Sequence, residues 1–295
     1  MSSLSGNQGP HIRAARGDEE VAPYEAITLD RLTPVIGAEI GGVDLGDLSN
    51  RQFDETHRAL AEHGAIFFRD QRLSPEQHLE FGRRFGELHV HPAAPHEPGH
   101  PELMVIKADE NSKRANGEGW HSDVSCDEEP PMGSILYIKE CPPAGGDTLF
   151  ASMYAAYDAL SDRMKAYLEG LRAVHDGEEN YRGTYANFGV KDKPSYPRAV
   201  HPVIRTHPVT GRKGLYLNTA RMEGVLGMDR DEADALIAEL MGRATHPRYE
   251  HRHAWRAGDL VIWDNRTVLH KANGDVPPGE RRYLYRVMVR GTPLR

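Results

Sequence analysis

Apolar and polar positions along the chain divide it into a short helical stretch, a long run of strands, and one late helix. From Ile27, ITLDRLTPVIGAEIGGVDLGD alternates apolar and polar residues between glycines, the pattern of short strands and turns. Residues 51–63 place Phe53, Leu60 and Ala61 on one helical face, with Gly64 as the stop. AIFFR then reads as a buried strand. Ser74-Pro75-Glu76-Gln77 is a helix start: an N-cap serine, proline in the first turn, and glutamine three residues after the cap. Leu79, Phe81 and Phe85 would face the core, and Gly86 would end that helix.

Strand-like runs dominate afterwards: LMVIK (103–107), GSILYIKE (133–140), TLFA (148–151), LRAVHD, HPVIRTHP and GLYLN. A helical interlude at 152–169 carries a cap candidate at Ser161, and 229–243 is amphipathic with Leu236, Ile237 and Leu240. YEHRHAW, DLVIWDN, VLHKA and RRYLYRVMVR close the chain as four more strands. Many short strands with a few helices predict one mainly β domain, a sandwich or barrel core with helices packed outside. Residues 1–24 lack periodicity and read as a disordered tail, leaving 25–295 as a single domain. The irregular stretch at about 177–200 reads as a lid-like or binding insertion. No internal repeat or linker divides the domain.

Composition narrows the function. Among 295 residues, 36 Lys and Arg stand against 44 Asp and Glu, a net charge of −8. An acidic chain lacks the basic footprint of a nucleic-acid binder. Mean hydropathy is −0.61, and no apolar run approaches the ~20 residues of a spanning helix, so no membrane association is expected. The N-terminus lacks the apolar core of a secretory signal, and two cysteines, Cys126 and Cys141, suit a reducing cytoplasm. Histidine is the unusual count: 16 residues, too many for all to be functional.

The sharpest local feature is Trp120-His121-Ser122-Asp123. In extended chain, residues i and i+2 point the same way. His121 and Asp123 can therefore offer a nitrogen and a carboxylate oxygen to one centre. Two histidines and one carboxylate leave metal positions open and suit non-haem Fe(II). Alone, the pair also describes a surface histidine beside an acid. The best third donor is His270, at the end of an apolar run beside Trp263-Asp264-Asn265. Arg282 and Arg286 lie four apart on one strand face, where a guanidinium can grip a carboxylate through two donors.

The matching stretches GAEIGGVDL, FGELHVHP, WHSDVS, PPAGGDTLFASMYAAYDAL, HPVIRTHPVTGRKGLYLN, WRAGDLVIWDNRTVLHKA and RRYLYRV run in order from about Ile27 to Arg290. In these the sequence resembles the Fe(II)/2-oxoglutarate dioxygenases of the taurine dioxygenase and 2,4-D dioxygenase (TauD/TfdA) family. The resemblance implies a double-stranded β-helix, a cupin-like jelly-roll core. It implies His121, Asp123 and His270 as the iron ligands and catalytic centre, and Thr148 and Arg282 as the holders of 2-oxoglutarate. The spacing to Arg282 is one residue longer than in taurine dioxygenases, across VPPGE. The implied cofactors are Fe(II), 2-oxoglutarate as co-substrate, and O2. Asp123 is retained, which argues against halogenation.

For the prime substrate the resemblance points to His91, Arg286, Val124, Arg221, Asn180 and Tyr181. His91 matches the histidine that binds the sulfonate of taurine. Ala94 and Gly117 stand where Tyr and Asn would be, and Arg221 stands where an aromatic residue lines the taurine pocket. The expectation is a small anionic substrate, a sulfonate, sulfate ester or carboxylate larger than taurine, whose hydroxylated product can release sulfite, sulfate or phenol. Family relatives imply a homo-oligomer, dimer or tetramer. The competing classes are a zinc hydrolase on the same ligands, which gains nothing from a Thr148/Arg282 clamp, and a catalytically silent jelly-roll binder. The remaining histidines are expected to pack or lie exposed: His57, His63 and His78 on helix surfaces, and His201, His207, His251 and His253 within strands.

Overall fold

The computed structural model describes residues 22–91, 94–108, 117–182, 196–219 and 221–293. Residues 1–21 of the expected tail and 183–195 of the expected lid-like insertion lie outside the described residues. The chain that follows the tail is anchored early: the Arg58 guanidinium stacks on Tyr24, whose hydroxyl donates to Glu62.

The alternating segments assemble into two facing layers. In the larger sheet the order is Thr28–Arg31, Ala38–Gly41, Ala65–Phe68, Leu260–Asp264, Gly133–Glu140, Arg282–Val289, His100–Ala108 and His96–Glu97, and Leu88–His89 also pairs with Arg282–Val289. Its pairs are antiparallel except for Ala38–Gly41 against Ala65–Phe68. The opposing layer holds Glu250–His253, Thr148–Ser152 and Val268–Ala272 in that order. Smaller sheets extend it: Arg198–Pro202 with Arg172–Asp176 and Met222–Val225, and Ile204–Thr206 with Lys213–Leu215. This is the expected jelly-roll arrangement, mainly β with flanking helices.

The period-2 pattern explains why the large sheet is apolar on both faces. Phe67, Val261, Trp263, Leu136, Ile138 and Leu284 point inward against Phe150 and Val268 of the opposing layer. Ile66, Phe68, Ile262, Ile135, Tyr137 and Val287 point outward and are covered by two helices, Asn50–His63 and Pro75–Arg83, through Ala59, Leu60, Leu79 and Phe81. Both helices begin in complete capping boxes, Ser49 with Gln52 and Ser74 with Gln77. A third cluster packs the helices Met153–Asp158, Asp162–Leu168 and Arg230–Ala244 on the smaller sheets. Among the described residues, no helix is long and apolar enough to cross a membrane.

Several expectations are corrected. The interlude at 152–169 is two helices, because the Ser161 side chain caps a new one by accepting from Met164 N–H. HPVIRTHP splits at Val203 into two strands of different sheets. The second helix ends at Arg83, before Gly86. On the first helix Ala59, and not Ala61, lies fully buried beside Leu60. His78 is completely buried under Tyr137, and His57 and His63 are half-buried. Helical position decides which side faces the sheet, and His78 falls one residue before Leu79 on that side.

Candidate metal centre

The two layers bring His121, Asp123 and His270 together at one end of the sandwich. One ligand atom from each lies within 4.8 Å of the others. The local cause is a two-residue ladder. His121 N–H donates to His270 O at 3.0 Å, and His270 N–H donates to His121 O at 2.9 Å. Residues directly opposed in an antiparallel pair project on the same face, so the rings meet with centroids 4.2 Å apart. Asp123 follows two residues after His121 and joins them.

Distances within the triad are informative. His121 Nε2 and His270 Nε2 lie 3.7 and 3.6 Å from Asp123 Oδ1. Both are too long for hydrogen bonds. The three atoms converge without satisfying one another, which is the donor geometry a cation completes. His121 Nδ1 donates to Gly119 O at 2.7 Å, leaving the Nε2 lone pair toward the centre. The second carboxylate oxygen is already taken: Oδ2 accepts from Ser134 Oγ at 2.9 Å and pairs with the Arg286 guanidinium. Burial alone would raise the Asp123 carboxyl. Arg286 and the two imidazoles overcome it and hold the group well below the usual carboxylate range. Burial depresses both ligand imidazoles, so they are neutral and able to donate.

The HxD turn is held from behind. Asn218 Nδ2 donates to Ser122 O and Ser125 Oγ, both at 2.8 Å, and Ser122 Oγ donates to Asn265 O at 2.9 Å. Val124 has φ +47°, a left-handed conformation that is a strained outlier for a β-branched residue. That kink directly follows Asp123. Trp263 flanks His270 with ring centroids 4.5 Å apart.

Thr148 and Arg282 share Trp255 as a neighbour. Thr148 is buried and its Oγ1 accepts from Trp255 Nε1 at 3.0 Å. The Arg282 guanidinium lies 5.8 Å from the same Trp255 ring, and Nε donates to Gly146 O at 3.1 Å. Among the described residues no carboxylate pairs with Arg282. Burial pulls it down to about 10, the mark of a cation lacking its counter-ion.

The substrate candidates divide. Val124 and Tyr181 are buried in one cluster with Cys126 and Met288. His91 lies beside Tyr181, with ring centroids 6.0 Å apart, and the Arg221 guanidinium carbon lies 4.9 Å from the same ring centroid. Burial, with the charges of Arg286 and Arg221 nearby, lowers His91 to about 4. Arg286 touches Asp123 rather than standing apart from the ligands. Asn180 lies on the short helix Glu178–Tyr181. A Cβ at Gly117 would lie 3.1 Å from His121 Cε1, so the missing side chain there also relieves the ligand ring. Sequence reasoning missed Ser134, Trp255 and Asn218. Trp255 had a faint signal, a tryptophan at the mouth of a strand run. Ser134 had none, being one small residue inside an apolar strand.

The comparisons with known proteins agree with this geometry. The profile of "Taurine catabolism dioxygenase TauD, TfdA family" matches residues 28–288. An alpha-ketoglutarate-dependent sulfonate dioxygenase of Saccharomyces cerevisiae is 32% identical over 274 residues, covering 88% of this chain and 66% of the yeast protein. The chain thus spans about two thirds of that relative. An alkylsulfatase of Acinetobacter baylyi is 33% identical, covering 91% of this chain and 86% of its own. The crystal structure of a taurine dioxygenase from Burkholderia xenovorans superposes with TM-score 0.79 at 33% identity, covering 92% of this chain and 93% of that one.

Proposed function

Because the chain belongs to the TauD/TfdA family of alpha-ketoglutarate-dependent dioxygenases, we propose that it uses Fe(II), 2-oxoglutarate and O2 to hydroxylate a small organic anion larger than taurine. The observation that carries the reading is the convergence of two neutral imidazoles and one carboxylate oxygen at non-hydrogen-bonding distances. The donor set fits Fe(II): three ligands on one face leave positions for a chelating co-substrate.

His121, Asp123 and His270 would hold the metal. When bound, Fe(II) with 2-oxoglutarate and O2 supplies the oxidising chemistry that places one oxygen atom into a C–H bond. Arg282 and Thr148 would orient the distal carboxylate of 2-oxoglutarate, with the Trp255 indole N–H fixing the Thr148 hydroxyl. Arg286 and Ser134 keep Asp123 ionised and turned so that Oδ1 faces the metal position. Val124, Tyr181 and Met288 form an apolar wall that excludes water from the reacting carbon. His91 would face the anionic end of the substrate. Where the hydroxylated carbon bears a sulfonate, sulfate ester or aryl ether, the product collapses and releases sulfite, sulfate or phenol. Relatives named for sulfonates and alkyl sulfates support this substrate class. We further propose that the enzyme works in the cytoplasm as a dimer or tetramer.

Oxygen uptake and succinate release with Fe(II), ascorbate and 2-oxoglutarate test the reading. Both are expected, slowly without and faster with a suitable acid. Arg282→Met should raise KM for 2-oxoglutarate by roughly 100-fold, the value of a charge-assisted contact at about 3 kcal/mol. Absence of O2 uptake and succinate under every condition overturns it.

A further inference from the structure

The chain turns immediately after Asp123, and the turn is strained. Asp127 N–H donates to Val124 O at 3.0 Å, and Val124 sits at φ +47°. For a β-branched residue, confinement to the left-handed region disfavours the conformation by roughly 10- to 100-fold. Asp70 is the other non-glycine residue at positive φ among the described residues, and an aspartate tolerates that region far better. A contact must therefore hold Val124 where it is, and whatever does so also sets the direction in which Asp123 leaves the backbone.

Asn218 is placed to do it. It is fully buried, and its Nδ2 spends one N–H on Ser122 O and the other on Ser125 Oγ, both at 2.8 Å. These acceptors flank Asp123 and Val124, so one carboxamide nitrogen spans both the ligand and the strained residue. Ser125 Oγ is held in turn by His175 Nδ1 at 3.0 Å. Val124 cannot rotate to negative φ without changing the path between Ser122 and Ser125 and breaking at least one of the two bonds. Both serines are buried, so a broken bond leaves polar atoms without water to replace it. Other bonds pin the segment outside this span. Thr219 N–H and Oγ1 donate to Trp120 O at 3.2 and 2.5 Å, and His201 Nε2 donates to Asp127 O at 2.9 Å. Within the span, Asp123 N–H reaches Asn265 Oδ1 only at 3.4 Å. Arg286 and Ser134 fix the Asp123 carboxylate through Oδ2. They act on the side chain, whereas Asn218 acts on the backbone that carries it.

We propose that Asn218 is a positioning residue of the metal centre: by bridging Ser122 and Ser125 it holds the strained Val124 turn, and through that turn the Asp123 oxygen that faces the two imidazoles. Fe(II) affinity then depends on a residue that acts through the backbone of a ligand and not through a ligand atom. The inference rests on the metal position of the dioxygenase reading above.

The test is anaerobic calorimetry of Fe(II) alone binding to the full metal-free chain, with urea unfolding of the same samples and succinate release from the loaded wild type in parallel. Asn218→Leu should weaken Fe(II) binding roughly 10- to 100-fold, as loss of an outer partner of a metal ligand does. Val124→Gly relieves the strain, because glycine adopts positive φ freely. Added to Asn218→Leu it should tighten Fe(II) binding by at least about fivefold, while alone it should leave binding within about threefold of wild type. His201→Leu cuts a bond to the same segment outside the Asp123–Val124 span. It should lower the urea midpoint and keep Fe(II) binding within about threefold of wild type, a pattern that separates positioning from mere support of the fold. Ser125→Ala removes one of the two acceptors and should weaken binding by about 3- to 10-fold; it carries the test, again with Val124→Gly as rescue, if Asn218→Leu does not fold. Fe(II) affinity within about threefold of wild type in the folded Asn218 or Ser125 variant, or no tightening by Val124→Gly, overturns the inference. Wild type that binds Fe(II) with these responses but releases no succinate overturns the dioxygenase reading and leaves the role of Asn218 standing. Wild type that binds no Fe(II) overturns both.

Discussion

Two buried clusters in this protein contain the same three residue types, and they are opposites. One is His121, Asp123 and His270 with Arg286. The other is His207 and Asp264 with Arg266. In the second, every acceptor of the carboxylate is used. Asp264 Oδ1 accepts from the Arg266 backbone N–H at 2.9 Å and from its Nε at 2.8 Å, while Oδ2 accepts from Arg266 Nη2 at 2.6 Å and His207 Nε2 at 3.0 Å. His207 Nδ1 in turn accepts from Thr210 N–H at 3.1 Å. Nothing remains to bind. In the first cluster Arg286 and Ser134 take one oxygen and leave the other facing two lone pairs. The difference between a structural ion pair and a metal position lies in which atoms stay unsatisfied, not in which residues are present.

Loss of a ligand from the first cluster has the largest expected effect. His270→Ala or Asp123→Ala should abolish iron-dependent succinate formation and reduce metal content to background. Loss of an outer partner of a metal ligand already costs 10- to 100-fold, and loss of the ligand itself should exceed that. Equal metal content in wild type and both variants would show that the triad is a structural cluster like its counterpart.

Asp264→Asn is the matching change in the second cluster. It keeps the shape and leaves Arg266 buried without its counter-charge, which costs roughly 3–5 kcal/mol. Urea unfolding should show that loss, while the folded variant keeps its iron stoichiometry. Metal loss with unchanged stability would reverse the two assignments.

The contrast also marks how far the sequence could be read. Strand runs, the Ser74–Gln77 capping box and the His-x-Asp pair were legible because each depends on residues near in sequence: period 2, a cap three residues from its partner, a ligand two residues from the next. His270 was reachable because it ends an apolar run. The state of each carboxylate was not legible. Arg286 was expected to face substrate, yet it lies against Asp123, because the strand Arg282–Val289 is held in register beside Gly133–Glu140, with Arg286 opposite Leu136. Ser134, from that neighbouring strand, completes the arrangement across a gap of 152 residues. His78 was misplaced for a related reason. Helical periodicity gives a face, but a polar residue at its edge can be inside or outside until the sheet beneath is known.

His78 is a third kind of buried imidazole, beside no carboxylate among the described residues. It is fully buried, and both ring nitrogens lack a hydrogen-bond partner among the described residues. Burial pushes it down to about 3. Below its ordinary value of 6.5 the unfolded chain binds a proton that the folded chain refuses, so stability is complete above about pH 6.5 and falls as pH drops toward 3. His78→Leu removes that proton linkage while keeping the site apolar. Urea unfolding at pH 7.5 and 5 should show a pH-dependent loss smaller in the variant by about 2 kcal/mol, from 1.36 kcal/mol per unit over roughly 1.5 units. His175 and His251, held down to about 3 and about 4 by burial, keep a remaining slope in the same direction. An unchanged slope would mean that His78 reaches a proton acceptor in solution, and that burial without a partner is not the distinct third state assigned to it.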